Sequence, residues 1–187
     1  MELETERLIL RPFRPEDAMD LYAYAKDPRV GPPAGWRPHR SVEESREIIE
    51  TVFSAPGVFA VVPKELGRAV GSAGFTGRHR KEARGADDEI GYSLSPAWWG
   101  RGLIPEAVEA LLRYGFRDMG LDTIWCEHYD GNRKSKRVIR KCGFRFRFLR
   151  MQRVPDFGGE PRLSLIWSMD RRDWEARQPR AGEEERL

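Results

Sequence analysis

Two glycines one residue apart, Gly100 and Gly102, lie between a strand-like run, Glu89-Ile90-Gly91-Tyr92-Ser93-Leu94, and a helical stretch running from Pro105 to Met119. Glycine lets a backbone turn sharply and approach a ligand closely. Proline suits a first helical turn, where its missing N–H costs nothing. The turn therefore feeds a helix N-terminus, which offers free N–H groups and the positive end of a helix dipole. That combination makes an anion site suited to phosphate or pyrophosphate. Taken alone, such a turn reads first as a plain strand-to-helix connection, so the ligand must be argued from the rest of the chain.

The common nucleotide loops do not fit. No GK[ST] ending follows the glycines, and the third glycine of a dinucleotide fingerprint is replaced by Pro105. The run Trp98-Trp99-Gly100-Arg101-Gly102-Leu103-Ile104-Pro105-Glu106-Ala107 instead resembles the segment with which GNAT N-acetyltransferases grip the pyrophosphate of acetyl-CoA, written Gln/Arg-x-x-Gly-x-Gly/Ala. With Gly102 as the middle glycine, Trp99 takes the Gln/Arg position and Ile104 the Gly/Ala position, both departures. The Trp-Gly-x-Gly variant with its following Glu-Ala is similar to the Rim-type branch, which includes ribosomal-protein N-terminal alanine and serine acetyltransferases. Thr5-Glu6-Arg7-Leu8-Ile9-Leu10-Arg11-Pro12-Phe13 resembles the opening strand of that branch. Asn132-Arg133-Lys134-Ser135 with Lys141-Cys142-Gly143-Phe144 resembles its Asn-x-x-Ser…Lys-x-Gly-Phe helix. Three segments in order are far less a matter of chance than one, and the resemblance spans roughly residues 4–170.

The resemblance implies acetyl transfer from acetyl-CoA directly to a primary amine, either a protein N-terminus or a small amine or amino acid. Such transfer needs a held donor, a neutral amine and a stabilised oxyanion, but no nucleophilic serine or cysteine. Backbone N–H groups of Gly100, Arg101, Gly102, Leu103 and Ile104 would hold the pyrophosphate, with the Arg101 charge beside it. Tyr92, Ser93 and Leu94 occupy the strand positions that present backbone groups to the pantetheine arm, where the family's strand splays from the next. Glu89, on the same strand, is the candidate general base, acting through a water; the other reading is an ordinary strand-edge carboxylate beside Asp87 and Asp88. Asn132 and Ser135 share a helix face. At these positions the family contacts the cofactor near its sulfur, so Ser135 could hydrogen-bond the leaving thiolate, while Asn132 also reads as an N-cap. The tyrosine that many GNAT enzymes carry four residues before the Gly-Phe glycine is Ile139 here, which leaves Ser135 or solvent as the acid. Of the basic run Arg133, Lys134, Lys136, Arg137, Arg140 and Lys141, ordinarily a solvated face, Arg137 is assigned to the 3′-phosphate. Trp98 and Trp99 read first as core, with a part in shaping the cofactor slot. The acceptor would meet loops 31–40, 77–88 and 153–161, where Trp36, His39 and Asp156 are either lining residues or ordinary loop residues.

The elements that must position these groups follow from periodicity. Arg7–Phe13, Val58–Pro63, Ala69–Thr76, Glu89–Leu94 and Thr123–His128 read as strands, and Phe144, Phe146 and Phe148 alternate with arginines as a half-buried strand facing the core. Leu163–Met169 ends the series. Helices follow Pro15, the capping box of Ser41 and Glu44, the glycine turn, and Asn132. The family plan is one α+β domain, residues 1–175, with a central mixed, mostly antiparallel sheet of about six to seven strands flanked by about four helices. Residues 176–187 read as a polar tail. A chain of 187 residues, 40% hydrophobic, carries a core of ordinary size. A net charge of +3 does not favour nucleic acid, no apolar run suggests a membrane span, and three scattered histidines show no metal-ligand spacing. Two cysteines and an acidic N-terminus without a signal core point to the cytoplasm. Open strand edges leave room for a homodimer. The alternative function is a non-catalytic acyl-CoA-binding regulatory module.

Overall fold

Val58–Pro63 and Gly71–Phe75 are buried along almost their whole length, the mark of strands covered on both faces. The computed structural model describes residues 1–178 and places these two at the middle of one sheet. Its strands are β1 (Leu3–Glu4), β2 (Leu8–Arg11), β3 (Val58–Pro63), β4 (Gly71–Phe75), β5 (Asp87–Leu94), β6 (Thr123–Tyr129), β7 (Arg145–Val154) and β8 (Glu160–Asp170). The order across the sheet is β1-β2-β3-β4-β5-β6-β8-β7. Only β5 and β6 run parallel; every other neighbouring pair is antiparallel. Eight strands among the described residues exceed the expected six to seven because Leu3 and Glu4 pair with Leu10 and Ile9 as a short edge.

The helices are α1 (Ala18–Ala25), α2 (Val42–Thr51), α3 (Leu103–Arg113), α4 (Arg133–Lys141) and α5 (Arg171–Glu175), one more than expected because the chain turns helical again after β8. Phe59 and Val61 of β3 join the main core with Val108, Leu111 and Leu112 of α3 and Ile139 of α4. Ala60 and Val62 alternate onto the other face, where Phe13 links them to the α1–α2 cluster around Leu21, Tyr24 and Ile49. Helical conformation beyond α3 continues to Asp118, but residues 114–118 widen into a π turn. There Gly115 presses so close to the sheet that a Cβ would lie 2.7 Å from both Phe75 and Ile124. No helix among the described residues is long and apolar enough to cross a membrane.

Three local expectations need correction. The loop after β4 ends at residue 86, since Asp87 and Asp88 are buried at the start of β5, with the Asp87 carboxylate accepting from Trp125 Nε1 at 2.9 Å and Arg80 N at 2.8 Å. The phenylalanine stripe does not face the core throughout: Phe144 is buried, but Phe146 is 49% exposed on the edge strand. A register shift between Phe146 and Phe148 breaks the alternation. Finally, Glu89 is no edge carboxylate, because β5 lies between β4 and β6. Of the proposed tail, residues 179–187 lie outside the described residues; Arg177 reaches back to donate to the Cys142 carbonyl at 2.7 Å.

Candidate functional site

The site begins where a strand pair stops pairing. The β5–β6 ladder runs from Asp87↔Thr123 to Ile90↔Cys126 and goes no further. Beyond it β5 stays paired to β4 through Leu94, and β6 to β8 through Tyr129. Gly91–Leu94 and Glu127–Tyr129 therefore diverge, leaving their inner backbone edges facing a cleft between them. This cleft has a volume of about 1900 Å³. That exceeds the roughly 300–1,000 Å³ of a typical single-ligand pocket and leaves room for two substrates.

At one end lies the glycine turn. Gly100 and Gly102 both have positive φ, 78° and 79°, and Gly102 is the N-cap of α3. The N–H groups of Gly100, Arg101, Gly102, Leu103 and Ile104 have no hydrogen-bond partner among the described residues. Pro105 falls in the first turn of α3, where its missing N–H interrupts nothing. Gly100, Gly102, Leu103 and Ile104 line the cleft, as do Arg133, Lys134, Arg137 and Lys141 of α4. Free N–H groups at a helix start, in a cleft that four cations also line, fit a pyrophosphate and further phosphate. The Arg101 side chain does not join them; it stacks on Trp98, 4.5 Å from the ring centroid. Trp98 and Trp99 pack against the core and also line the cleft, and the Lys134 ammonium lies 3.6 Å from the Trp99 centroid.

The turn is fastened from afar. The Glu106 carboxylate accepts from Thr5 Oγ1 at 2.6 Å, Arg7 N at 2.9 Å and Arg7 Nε at 2.7 Å, while Arg7 Nη1 donates to the Arg101 carbonyl at 2.9 Å. Two of the three sequence segments singled out above are thus one hydrogen-bonded unit.

Midway along the cleft, Tyr92 of β5 meets Ser135 of α4, with 2.8 Å between Tyr92 Oη and Ser135 Oγ. Asn132 is the N-cap as expected, accepting from Ser135 N at 3.1 Å, and its amide donates to the Pro33 carbonyl at 3.1 Å. Ser93 Oγ turns away to Ser72 Oγ at 2.8 Å, and the Leu94 carbonyl accepts from Trp99 Nε1 at 2.8 Å. Ile139 is fully buried in the core, so α4 presents no hydroxyl at that position.

The other end holds two carboxylates matched by two guanidiniums. The buried Arg80 guanidinium donates to Glu89 Oε2 and, at 2.8 Å, to Glu127 Oε2 of β6. The exposed Arg78 guanidinium stands 3.5 Å from the outer oxygen of each carboxylate. Gln152 of β7 donates to Glu127 at 2.9 Å. Burial and then the neighbouring Glu127 charge push the Glu89 carboxyl above its ordinary value, against the pull of Arg80. Residues of all three expected acceptor loops line the cleft: Trp36, Arg37 and His39; Arg78; and Pro155, Asp156 and Phe157. Arg37 Nε donates to the Asp156 carbonyl, closing one loop onto another. Burial lowers the His39 pKa, keeping the ring neutral beside Ser45 Oγ at 2.8 Å.

Sequence reasoning did not single out Glu127, Arg80, Arg78 or the phenol of Tyr92. A signal was present for Glu127: it is the lone carboxylate in the otherwise uncharged strand run Thr123-Ile124-Trp125-Cys126-Glu127-His128. Arg80 gave none, since it lies among the charges of an irregular loop.

A model of the acetyltransferase (GNAT) domain family matches residues 7–145. The chain is 33% identical over 147 residues to an uncharacterized N-acetyltransferase, p20, of Bacillus licheniformis, covering 76% of this chain and 81% of that protein. It is 26% identical over 157 residues to the [ribosomal protein uS5]-alanine N-acetyltransferase of Escherichia coli, covering 77% of this chain and 78% of that protein. The crystal structure of an acetyltransferase (GNAT family) from Bacillus anthracis superposes with a TM-score of 0.80 at 26% identity, covering 92% of this chain and 99% of the other.

Proposed function

The chain belongs to the GNAT acetyltransferase family, and from that premise we propose that it moves the acetyl group of acetyl-CoA directly onto a primary amine held at the carboxylate end of the cleft. The observation that carries this reading is the opened β5–β6 pair, with a turn of unpartnered N–H groups at one end and a carboxylate pair, Glu89 buried and Glu127 half-buried, at the other. The N–H groups from Gly100 to Ile104 hold the pyrophosphate, and Arg137 takes the 3′-phosphate. The inner edge of Gly91–Leu94 aligns the pantetheine arm, and its free N–H groups can donate to the thioester oxygen as charge develops there. Glu89 removes the amine proton, through water, with Glu127 sharing the charge. As the C–S bond breaks, its electron pair passes to sulfur, where the Ser135 hydroxyl donates to the departing thiolate.

No acyl-enzyme step is needed, and neither cysteine suits one. Both are buried; burial pushes the Cys126 thiol well up and the Cys142 thiol up to about 12. Two unpaired thiols also suit a reducing compartment, in keeping with the cytoplasm. The acceptor class is a protein N-terminus or a small amine. The cleft's large open volume suits a peptide end, and the similarity to an enzyme named for ribosomal protein uS5 points the same way.

Calorimetric titration with acetyl-CoA and with CoA, followed by thiol release with N-terminal peptides and small amines, tests the reading. Binding with release on one acceptor class is the expected outcome and identifies that class. Binding without release on any acceptor would favour an acyl-CoA-binding regulatory module, and absence of binding would overturn the assignment of the glycine turn.

A further inference from the structure

The family position for a tyrosine on α4 is Ile139, buried in the core, yet a phenol reaches Ser135 of that helix. It comes from the neighbouring strand. Tyr92 Oη lies 2.8 Å from Ser135 Oγ and 3.3 Å from the Ser135 carbonyl, and both side chains line the cleft. Asn132 fixes Ser135 from the other side by accepting from its N–H.

A serine hydroxyl has one hydrogen and two lone pairs. If Tyr92 donates to Ser135 Oγ, the shorter of its two contacts, the serine hydrogen is freed to point into the cleft. Burial holds the Tyr92 phenol well above its ordinary value of 10.0, so it keeps its proton and stays a donor at neutral pH. The nearby thiols of Cys126 and Cys142 are also held protonated by burial. A hydroxyl that accepts one hydrogen bond donates a stronger second one.

Resting on the acyl-transfer reading above, we propose that Tyr92 is a positioning residue: it donates to Ser135 Oγ and thereby aims the Ser135 hydrogen at the sulfur of CoA. When the C–S bond breaks and its electron pair passes to sulfur, Ser135 donates to the thiolate, and Tyr92 keeps its own proton. The phenol missing from α4 is thus replaced in effect by one on β5, acting through the serine.

The test is an ultraviolet thiolate titration of CoA bound to the full-length protein. The same titration with desulfo-CoA, which lacks the thiol, is subtracted so that the remaining signal belongs to the CoA thiol rather than to protein tyrosines or cysteines. The bound CoA thiol should titrate below free CoA, and Tyr92→Phe should raise it by about one pH unit, equivalent to a tenfold change in the ionisation equilibrium. Ser135→Ala should raise it at least as far, and adding Tyr92→Phe to Ser135→Ala should change nothing more. In turnover, Tyr92→Phe should lower kcat about tenfold with KM for acetyl-CoA within about twofold. A bound thiol unmoved by Tyr92→Phe, or an equal shift in the Ser135→Ala background, would overturn the proposal and leave acyl transfer standing. A protein that binds CoA with the expected thiol shifts but acetylates no amine would overturn the acyl-transfer reading while keeping the Tyr92–Ser135 arrangement. Failure to bind CoA would overturn both.

Discussion

Replacing Glu89 with glutamine separates a proton acceptor from a structural anion. The substitution keeps the shape of the side chain and removes one charge from a group in which buried Glu89 and half-buried Glu127 share Arg80. A positioned base contributes about 10²–10⁴-fold to rate, so kcat should fall at least about a hundredfold. KM for acetyl-CoA should stay within about twofold, because the phosphate grip lies at the far end of the cleft. The fold should survive: Glu127 still pairs with Arg80, and losing one charge-assisted hydrogen bond costs about 1.5–3 kcal/mol before relief of the carboxylate repulsion. The pH profile then tests the assignment by sign. The active form is the ionised carboxylate, so kcat/KM rises with pH along an acid limb set by the Glu89 pKa. Burial and then Glu127 raise that pKa above the ordinary 4.5, while Arg80 opposes them. Glu127→Gln removes one raising cause and should move the limb to lower pH, with kcat within about tenfold of the original. Arg80→Met removes the opposing cation and should move the limb to higher pH. The assay is the initial rate of thiol release across pH at saturating acetyl-CoA. A Glu89→Gln protein with kcat within about threefold of the original, or a Glu127→Gln limb displaced upward, would refute the reasoning.

Three further outcomes follow from the geometry. In Gly102→Ala the new Cβ would come no closer than 3.6 Å to Arg7, so the fold should lose only the left-handed strain of about 1 kcal/mol, whereas acetyl-CoA affinity measured by calorimetry should fall about tenfold or more. Arg137→Ala should erase a preference for CoA over dephospho-CoA of about tenfold; a preference kept by the variant would move the 3′-phosphate elsewhere on α4. In Glu106, burial raises the carboxyl pKa, but Thr5 and the Arg7 N–H and guanidinium outweigh it, and the net direction is down from 4.5. The ionised form therefore contributes stability that is present above 4.5 and lost as pH falls through the depressed folded value. Glu106→Ala should cost about 2 kcal/mol near neutrality, a Tm drop of about 4–8 °C, and the difference from the original protein should shrink in acid.

Much of this was legible because the signals were local. The Ser41 cap appears with its side chain accepting from Glu44 N at 3.2 Å, although Glu44 answers to Arg40 N rather than to Ser41. Asn132 caps α4, and Gly100 and Gly102 take the positive φ that only glycine adopts freely. What remained hidden depends on register. Tyr92 and Ser135 are 43 residues apart, and Arg80 and Glu127 are 47 apart. No periodicity within either segment says that they touch. The bulge in β7 is hidden for a related reason: alternation of Phe144, Phe146 and Phe148 assumes a regular pleat, and one extra residue moves a side chain to the other face.

Charge shows the same division between composition and place. The chain's net charge of +3 suggests no partner, because acids and bases nearly cancel over the whole sequence. Among the described residues, the fold gathers unpaired cations at one part of a cleft and a carboxylate pair, matched by Arg78 and Arg80, at another. Arg133, Lys134, Arg137 and Lys141 line the cleft from α4, while Glu89 and Glu127 are brought together by the parallel pairing of β5 and β6. Between the two ends lie neutral hydroxyls, Tyr92 and Ser135, in surroundings that penalise charge. In the proposed reaction an anionic donor enters from the cationic part and an amine from the carboxylate part, and they meet where hydrogen-bond donors rather than ions are needed. The exposed Arg78, bridging the outer oxygens of both carboxylates, already holds a cation at the amine's end; an incoming ammonium must take over those oxygens before it can give up its proton.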